Sequence, residues 1–168
     1  MKGKKLIIRK AKTNDICSIT QIYNEAIKNT IATFDTKIKT LDEQNKWFKN
    51  HGPSNPILVA EQNSIIVGFA SLSSWSDRCA YSKTAEISLY VLEKYQRKGI
   101  GTRLMEEIIR EGKISNLHVI VARITDGNQA SVKLHESFGF EHIGVMKEVG
   151  EKFGKLLDVY LMQKIYED

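Results

Sequence analysis

Cysteine and proline are nearly missing from this sequence, with two of each in 168 residues. Cys17 and Cys79 lie far apart, no CxxC occurs and no histidines cluster, so neither a disulfide framework nor a zinc or other metal site is expected. A reducing, cytoplasmic setting fits. No apolar run reaches the length of a signal peptide or a membrane span, and no interaction with a membrane is expected. The chain also lacks any dense basic run interleaved with aromatics. Its formal charge of +5 and pI near 9.1 come from Lys and Arg spread along the whole length, which argues against nucleic acid and would favour a small polyanionic ligand. No repeat, low-complexity tract or long linker divides the chain, and 42% hydrophobic content suffices for a core, so residues 1–168 are expected to form one domain.

What is present alternates strands and helices. "KLIIRKA" reads as a short strand, and Thr13, Asn14 and Asp15 supply capping side chains for a helix carrying Ile16, Ile19, Ile22, Tyr23, Ala26 and Ile27. A second helix is expected over Leu41 to Lys49, closed by "HGPSNP". "ILVAEQNSIIVGFASLS" is a hairpin pattern turning at Gln62-Asn63-Ser64. "TAEISLYV" alternates Glu86, Ser88 and Tyr90 against Ile87, Leu89 and Val91. A strand "HVIVARIT", a helix from Asn128 closed by Gly139, and strands "FEHIGVMKEVG" and "LLDVYLMQK" complete the order. This is an α/β or α+β sandwich around one mixed sheet.

Between the fourth strand and its helix stands "QRKGIGTRLMEEIIREG". Gly99 and Gly101 admit close approach of a ligand to the backbone, Arg97 and Lys98 add charge, and the following helix N-terminus offers unpaired N–H donors. Together they describe an anion site. A P-loop would need Lys-Ser/Thr after its last glycine, where Thr102-Arg103 stand, and a Rossmann fingerprint would need a third glycine at Leu104. A pyrophosphate fits the loop amides, with Ile100, Leu104, Met105, Ile108 and Ile109 forming the helix's buried face.

Gln96-Arg97-Lys98-Gly99-Ile100-Gly101 after "EISLYV" resembles the acetyl-CoA motif of the GNAT N-acetyltransferase superfamily. "DGNQASVKLHESFGF" resembles that superfamily's later helix motif, and "WSDRCAYSKTAE", "KLHESFGF" and "GEKFGKLLDVYLMQK" are similar to its phosphinothricin and methionine sulfone acetyltransferase branch. The resemblance covers essentially the whole chain. It implies a mixed, mostly antiparallel central sheet of about seven strands with helices on both faces, and acetyl-CoA as co-substrate without a metal. The pyrophosphate would lie on the segment from Arg97 through Lys98, Gly99, Ile100 and Gly101 to Thr102, and Asn128 and Ser131 would meet the pantetheine arm. A homodimer is implied as well, with the "EVGEKFGK" hairpin reaching the neighbour's site and Lys152 among the substrate-binding residues. Two departures stand out: His135 where many superfamily members carry Tyr, though this branch also carries His there, and Leu156 where this branch carries Trp, which would widen a pocket wall.

Acetyl transfer from a thioester to an amine needs a neutral amine, a polarised carbonyl and a proton for the departing thiolate. Glu86, on the polar face of its strand, is the candidate base, and a solvated sheet glutamate is its plainer reading. Backbone N–H groups near Leu89, Tyr90 and Val91 would meet the carbonyl oxygen if the strand splays. His135 and Tyr90 are the candidate proton donors. Arg78 and Tyr81 are placed to read an acceptor carboxylate, Phe34 and Trp75 to wall a pocket, and Cys79 has no adjacent base for a covalent route. Three classes remain open at this point: an N-acetyltransferase of small amino-acid-like amines, an acetyltransferase of protein N-termini or lysines, and an acyl-CoA-binding module without catalysis.

Overall fold

A computed structural model describes residues 5–167. The strands are β1 (Leu6–Lys10), β2 (Ile57–Gln62), β3 (Ile65–Ser74), β4 (Thr84–Val91), β5 (Val119–Thr125), β6 (Glu141–Lys152) and β7 (Lys155–Ile165). They form one sheet in the order β1-β2-β3-β4-β5-β7-β6, antiparallel at every step except β4 to β5. The helices are α1 (Ile16–Asn29), α2 (Leu41–Lys49), α3 (Ile100–Ile114) and α4 (Gln129–Ser137). This is the sandwich expected from the strand and helix order.

Local chemistry accounts for the boundaries. Thr40 and Glu43 form a reciprocal capping box that starts α2, the Glu43 carboxylate accepting from Thr40 N–H at 2.8 Å. Before α1, Thr13–Asp15 form a 3-10 turn, and of the three expected capping residues only Asp15 receives a backbone N–H, from Lys12 at 2.7 Å. Asn63 and Ser64 both take positive φ, the two-residue turn that lets β2 and β3 pair tightly.

The sheet separates two apolar layers. On one face Ile19, Ile22 and Phe69 pack with Tyr23, Trp47 and Tyr90 beneath α1 and α2. On the other, Leu104, Met105 and Ile108 of α3 and Val132 of α4 pack on Ala85, Ile87 and Ile120. β4 feeds both, its even-numbered side chains toward α1 and α2 and its odd-numbered ones toward α3 and α4.

Parallel β4 and β5 stay in register only at Thr84 with Val119, Ala85 with Ile120 and Glu86 with Val121. Beyond Glu86 they part. The bonds Trp75 N–H to Thr84 O and Leu92 N–H to Val67 O bracket the β3–β4 ladder, so even-numbered residues of β4 bond β3, while Leu89 and Val91 point their main-chain groups into the gap.

Candidate active site

The gap widens into a cleft of about 920 Å³ bounded by β4, β5, the starts of α3 and α4, and the segment that follows α1. At one wall, Gly99 takes φ +77° as the residue before α3, a left-handed conformation that glycine adopts without strain. Gly101 sits in the first turn and faces the cleft. A Cβ there would meet only Leu134 at 3.6 Å and Leu89 at 3.8 Å, so nothing inside the protein demands glycine and the space it leaves belongs to the cleft. At the opposite wall Asn128 caps α4, its Oδ1 accepting from Ser131 N–H at 3.3 Å. Two helix N-termini thus flank a strand edge whose backbone is free to bond a ligand.

Of the residues expected to hold the co-substrate, Leu89, Tyr90, Val91, Arg97, Gly101, Asn128 and Ser131 line this cleft. Lys98, Gly99, Ile100 and Thr102 do not. The Lys98 ammonium is turned back onto the Lys94 carbonyl and the Tyr95 ring, Ile100 is buried in the α3 core, and Thr102 is exposed.

Glu86 stands where the strands separate, on the face toward α1 and α2, opposite Ser73 of β3. It is gripped by a residue that sequence reasoning missed. Arg123 of β5 donates Nε to Glu86 Oε1 at 2.6 Å and Nη2 to Oε2 at 2.7 Å, and its guanidinium lies 5.7 Å from the Trp75 ring centroid. The carboxylate raises the guanidinium pKa. One signal was available: Arg123 is the sole charged residue of its strand.

The two expected proton donors differ. His135 is 5% exposed, and its Nδ1–H is spent on the Ser131 carbonyl at 2.8 Å. Burial lowers its pKa, so it is neutral near pH 7 with only an acceptor nitrogen left, which counts against the expected acid role. Tyr90 has its pKa raised to about 12 by burial and therefore keeps its proton. It lines the cleft on the same face as Glu86.

Several expected substrate residues lie elsewhere. Arg78 and Tyr81 are exposed on the loop before β4 and do not line this cleft, and Cys79 beside them is a free, exposed thiol. Leu156, 59% exposed, does not wall the cleft either. Lys152 is buried and donates to the Thr33 carbonyl at 2.6 Å. Burial lowers its pKa, and its role is to hold the segment carrying Phe34 in place. Gly150 supports the same contact, since a Cβ there would fall 2.3 Å from the Phe34 ring. Phe34 does wall the cleft, and Trp75 reaches the site by stacking on Arg123. Among the described residues no cluster of three His, Cys, Asp or Glu side chains could hold a metal ion.

The chain is similar to known proteins in sequence and in fold. Residues 8–161 match the family model for the acetyltransferase (GNAT) domain. The chain is 38% identical to an L-amino acid N-acyltransferase of Escherichia coli, over 93% of this chain and 91% of the relative. It is 36% identical to the L-methionine sulfoximine/L-methionine sulfone acetyltransferase of Salmonella typhimurium, over 94% and 93%. An acetyltransferase of Salmonella typhimurium solved with its cofactor acetyl-CoA superposes with a TM-score of 0.94 at 35% identity, covering 97% of this chain and 95% of that one. With its parted parallel strands, its glycine turn at a helix N-terminus and a match over nearly its whole length, the chain belongs to the GNAT acetyltransferase family.

Proposed function

We propose that this protein transfers the acetyl group of acetyl-CoA to the amine of a small amino-acid-like acceptor of the methionine sulfone, methionine sulfoximine or phosphinothricin kind, by direct attack in a ternary complex. The observation that carries the reading is the parting of β4 and β5 immediately beyond Glu86. It leaves the backbone of Leu89 and Val91 facing the cleft while the carboxylate stays at its apex.

In this reading the pyrophosphate lies on the loop amides from Arg97 to Thr102, where Arg97 adds charge and Gly101 leaves room. Asn128 and Ser131 orient the pantetheine arm. A backbone N–H of Leu89 or Val91 polarises the thioester carbonyl and stabilises the oxyanion formed when the amine nitrogen attacks. Glu86, directly or through a water, takes a proton from the amine. The C–N bond forms and the C–S bond breaks. Of the two protons that leave the nitrogen of an ammonium acceptor, one ends on the thiol and one in solvent. Tyr90, which stays protonated, donates a hydrogen bond to the departing sulfur. Arg78, exposed and off the cleft, is left with at most an encounter role.

The protein is further expected to be a homodimer working in the cytoplasm. Ile143, Val145, Val149, Phe153 and Leu156 expose apolar surface along the β6–β7 edge hairpin, as a self-association surface would. Both cysteines are free, and no helix among the described residues is long and apolar enough to cross a membrane.

An acetyl-CoA-dependent thiol-release screen over free amino acids, simple amines and a peptide amine tests the assignment. Turnover on amino acids such as methionine sulfone is expected. Turnover confined to the peptide would move the protein to protein acetylation, and CoA binding without any turnover would make it a binding module.

A further inference from the structure

Arg123 has no role in the scheme above, and stability does not explain it. Its side chain is 52% exposed, Glu86's 21%, and an ion pair this accessible contributes little to folding. Yet it lines the cleft, its guanidinium is backed by Trp75, and both its bonds go to the carboxylate proposed as the base. No other carboxylate of the described residues is within ion-pair reach of it. We propose that Glu86 and Arg123 together form the acceptor's head-group site, recognising the ammonium and carboxylate that a free α-amino acid carries on one carbon.

The geometry suits that ligand. A zwitterion inserting at the pair exchanges one direct ion pair for two: its carboxylate replaces that of Glu86 on the planar guanidinium fork, and its ammonium meets Glu86. The insertion also takes Glu86 off the Arg123 fork and sets its carboxylate directly against the ammonium whose proton it accepts. Binding and activation of the base are then one event. Arg123, rather than Arg78, reads the carboxylate.

The inference rests on the amino-acid acetyltransferase reading, so the test carries its own control. Thiol release is measured with methionine sulfone and with the amine left when that amino acid loses its carboxyl group, for wild type, Arg123→Met and Arg123→Lys, with melting curves to show that each variant folds. Wild type is expected to prefer the amino acid in kcat/KM. Arg123→Met should shrink that preference by about one to two orders of magnitude, and Arg123→Lys should restore part of it, as loss and partial repair of a charge-assisted bidentate contact predict. A preference that survives in Arg123→Met, with both acceptors slowed alike, would show that Arg123 only positions Glu86 and would overturn the inference. So would a wild type indifferent to the carboxyl group. A wild type that turns over neither acceptor defeats the underlying reading and this inference with it.

A separate observation concerns the acceptor's other end. A second cavity, of about 290 Å³, opens from the cleft at Ser73 and Ser88 and runs beneath α2 between Trp47 and Phe69. Gln44 of α2 lines it while only 5% exposed, and its amide makes no hydrogen bond to any described residue. The charged groups there are already engaged, Lys39 with Asp35 at 3.1 Å and the Glu43 carboxylate with the Thr40 N–H at 2.8 Å. We infer that this pocket takes a neutral, polar acceptor side chain, hydrogen-bonded by Gln44. Gln44→Met keeps the shape and removes the amide. Calorimetric titration of the CoA-loaded enzyme should show methionine sulfone weakened about tenfold, the size of one buried hydrogen bond, with norleucine no weaker. Equal weakening of both, or of neither, would contradict the assignment.

Discussion

The two ends of the cleft are built from different material. The end assigned to the co-substrate is made of backbone: two helix N-termini, a glycine at φ +77°, and the strand edge of Leu89 and Val91 where β5 has turned away. The end assigned to the acceptor is made of side chains drawn from four elements, with Glu86 on β4, Arg123 on β5, Ser73 on β3 and Gln44 on α2. Backbone donors present the same hydrogen-bonding groups whatever the side chains, so they suit a ligand that never changes. Side chains can be exchanged without disturbing the sheet, so they suit the partner that varies.

Substitutions should therefore separate the two ends. The largest effect is expected from Glu86→Gln, which keeps the shape and removes the base. Turnover should fall by about a hundredfold, within the range of general-base catalysis, and most at low pH where free amine is scarce. Acetyl-CoA affinity by calorimetry should be unchanged. Gly101→Val comes next. Its side chain would project into the cleft beside Leu89 and Leu134, weakening acetyl-CoA by about tenfold, about 1.4 kcal/mol, while the fold is kept, because outside its own helix turn the nearest atom lies 3.6 Å from the added Cβ, an ordinary contact.

Sequence was legible where the backbone does the work. The limits of α2 and β4, the turn at Asn63, the mixed sheet and the glycine loop all follow from local patterns whose physical cause spans a few residues. Glu86 stood out as a candidate too, as the one charged residue of its strand, on the polar face. The acceptor end was not. Arg123 reaches Glu86 only because β5 pairs in parallel beside β4, across 37 positions of chain, and nothing local encodes that meeting. Arg78 looked like the carboxylate reader because its block resembles the phosphinothricin branch and a guanidinium pairs bidentately with a carboxylate, yet its side chain is exposed to solvent. His135 fell on the polar side of its helix as expected, but the Phe140 ring packed edge-on against it and the Ser131 carbonyl claim the imidazole. Lys152 was placed at the substrate and instead anchors the segment around Thr33.

Smaller effects sharpen the contrast. Gly99→Ala should cost about 1–2 kcal/mol in a denaturant titration, from the left-handed backbone alone, since its Cβ would meet no atom within 4 Å. Arg78→Ala should shift KM for an amino acid by no more than about twofold, the range of an exposed surface substitution. Smallest is a pH effect. His51, behind the acceptor end, and His135, behind the co-substrate end, both have pKa values lowered by burial. A lowered folded-state value means that the unfolded chain binds the proton first. Their contribution is thus full above the ordinary histidine value of about 6.5 and is lost as pH falls below it. Melting temperature should drop over that window, and less so in His51→Gln or His135→Gln; an unchanged slope would show that neither histidine is linked to folding.

Amide chemical shifts, followed by NMR while CoA is added and then methionine sulfone, test the division of labour most directly. CoA should move Leu89, Val91, Ser131 and the amides from Lys98 to Thr102 and leave Gln44 and Ser73 in place; the amino acid, added second, should move Gln44, Ser73, Glu86 and Arg123. Shifts at Gln44 and Ser73 on CoA alone, with residues 98–102 unmoved, would contradict the account.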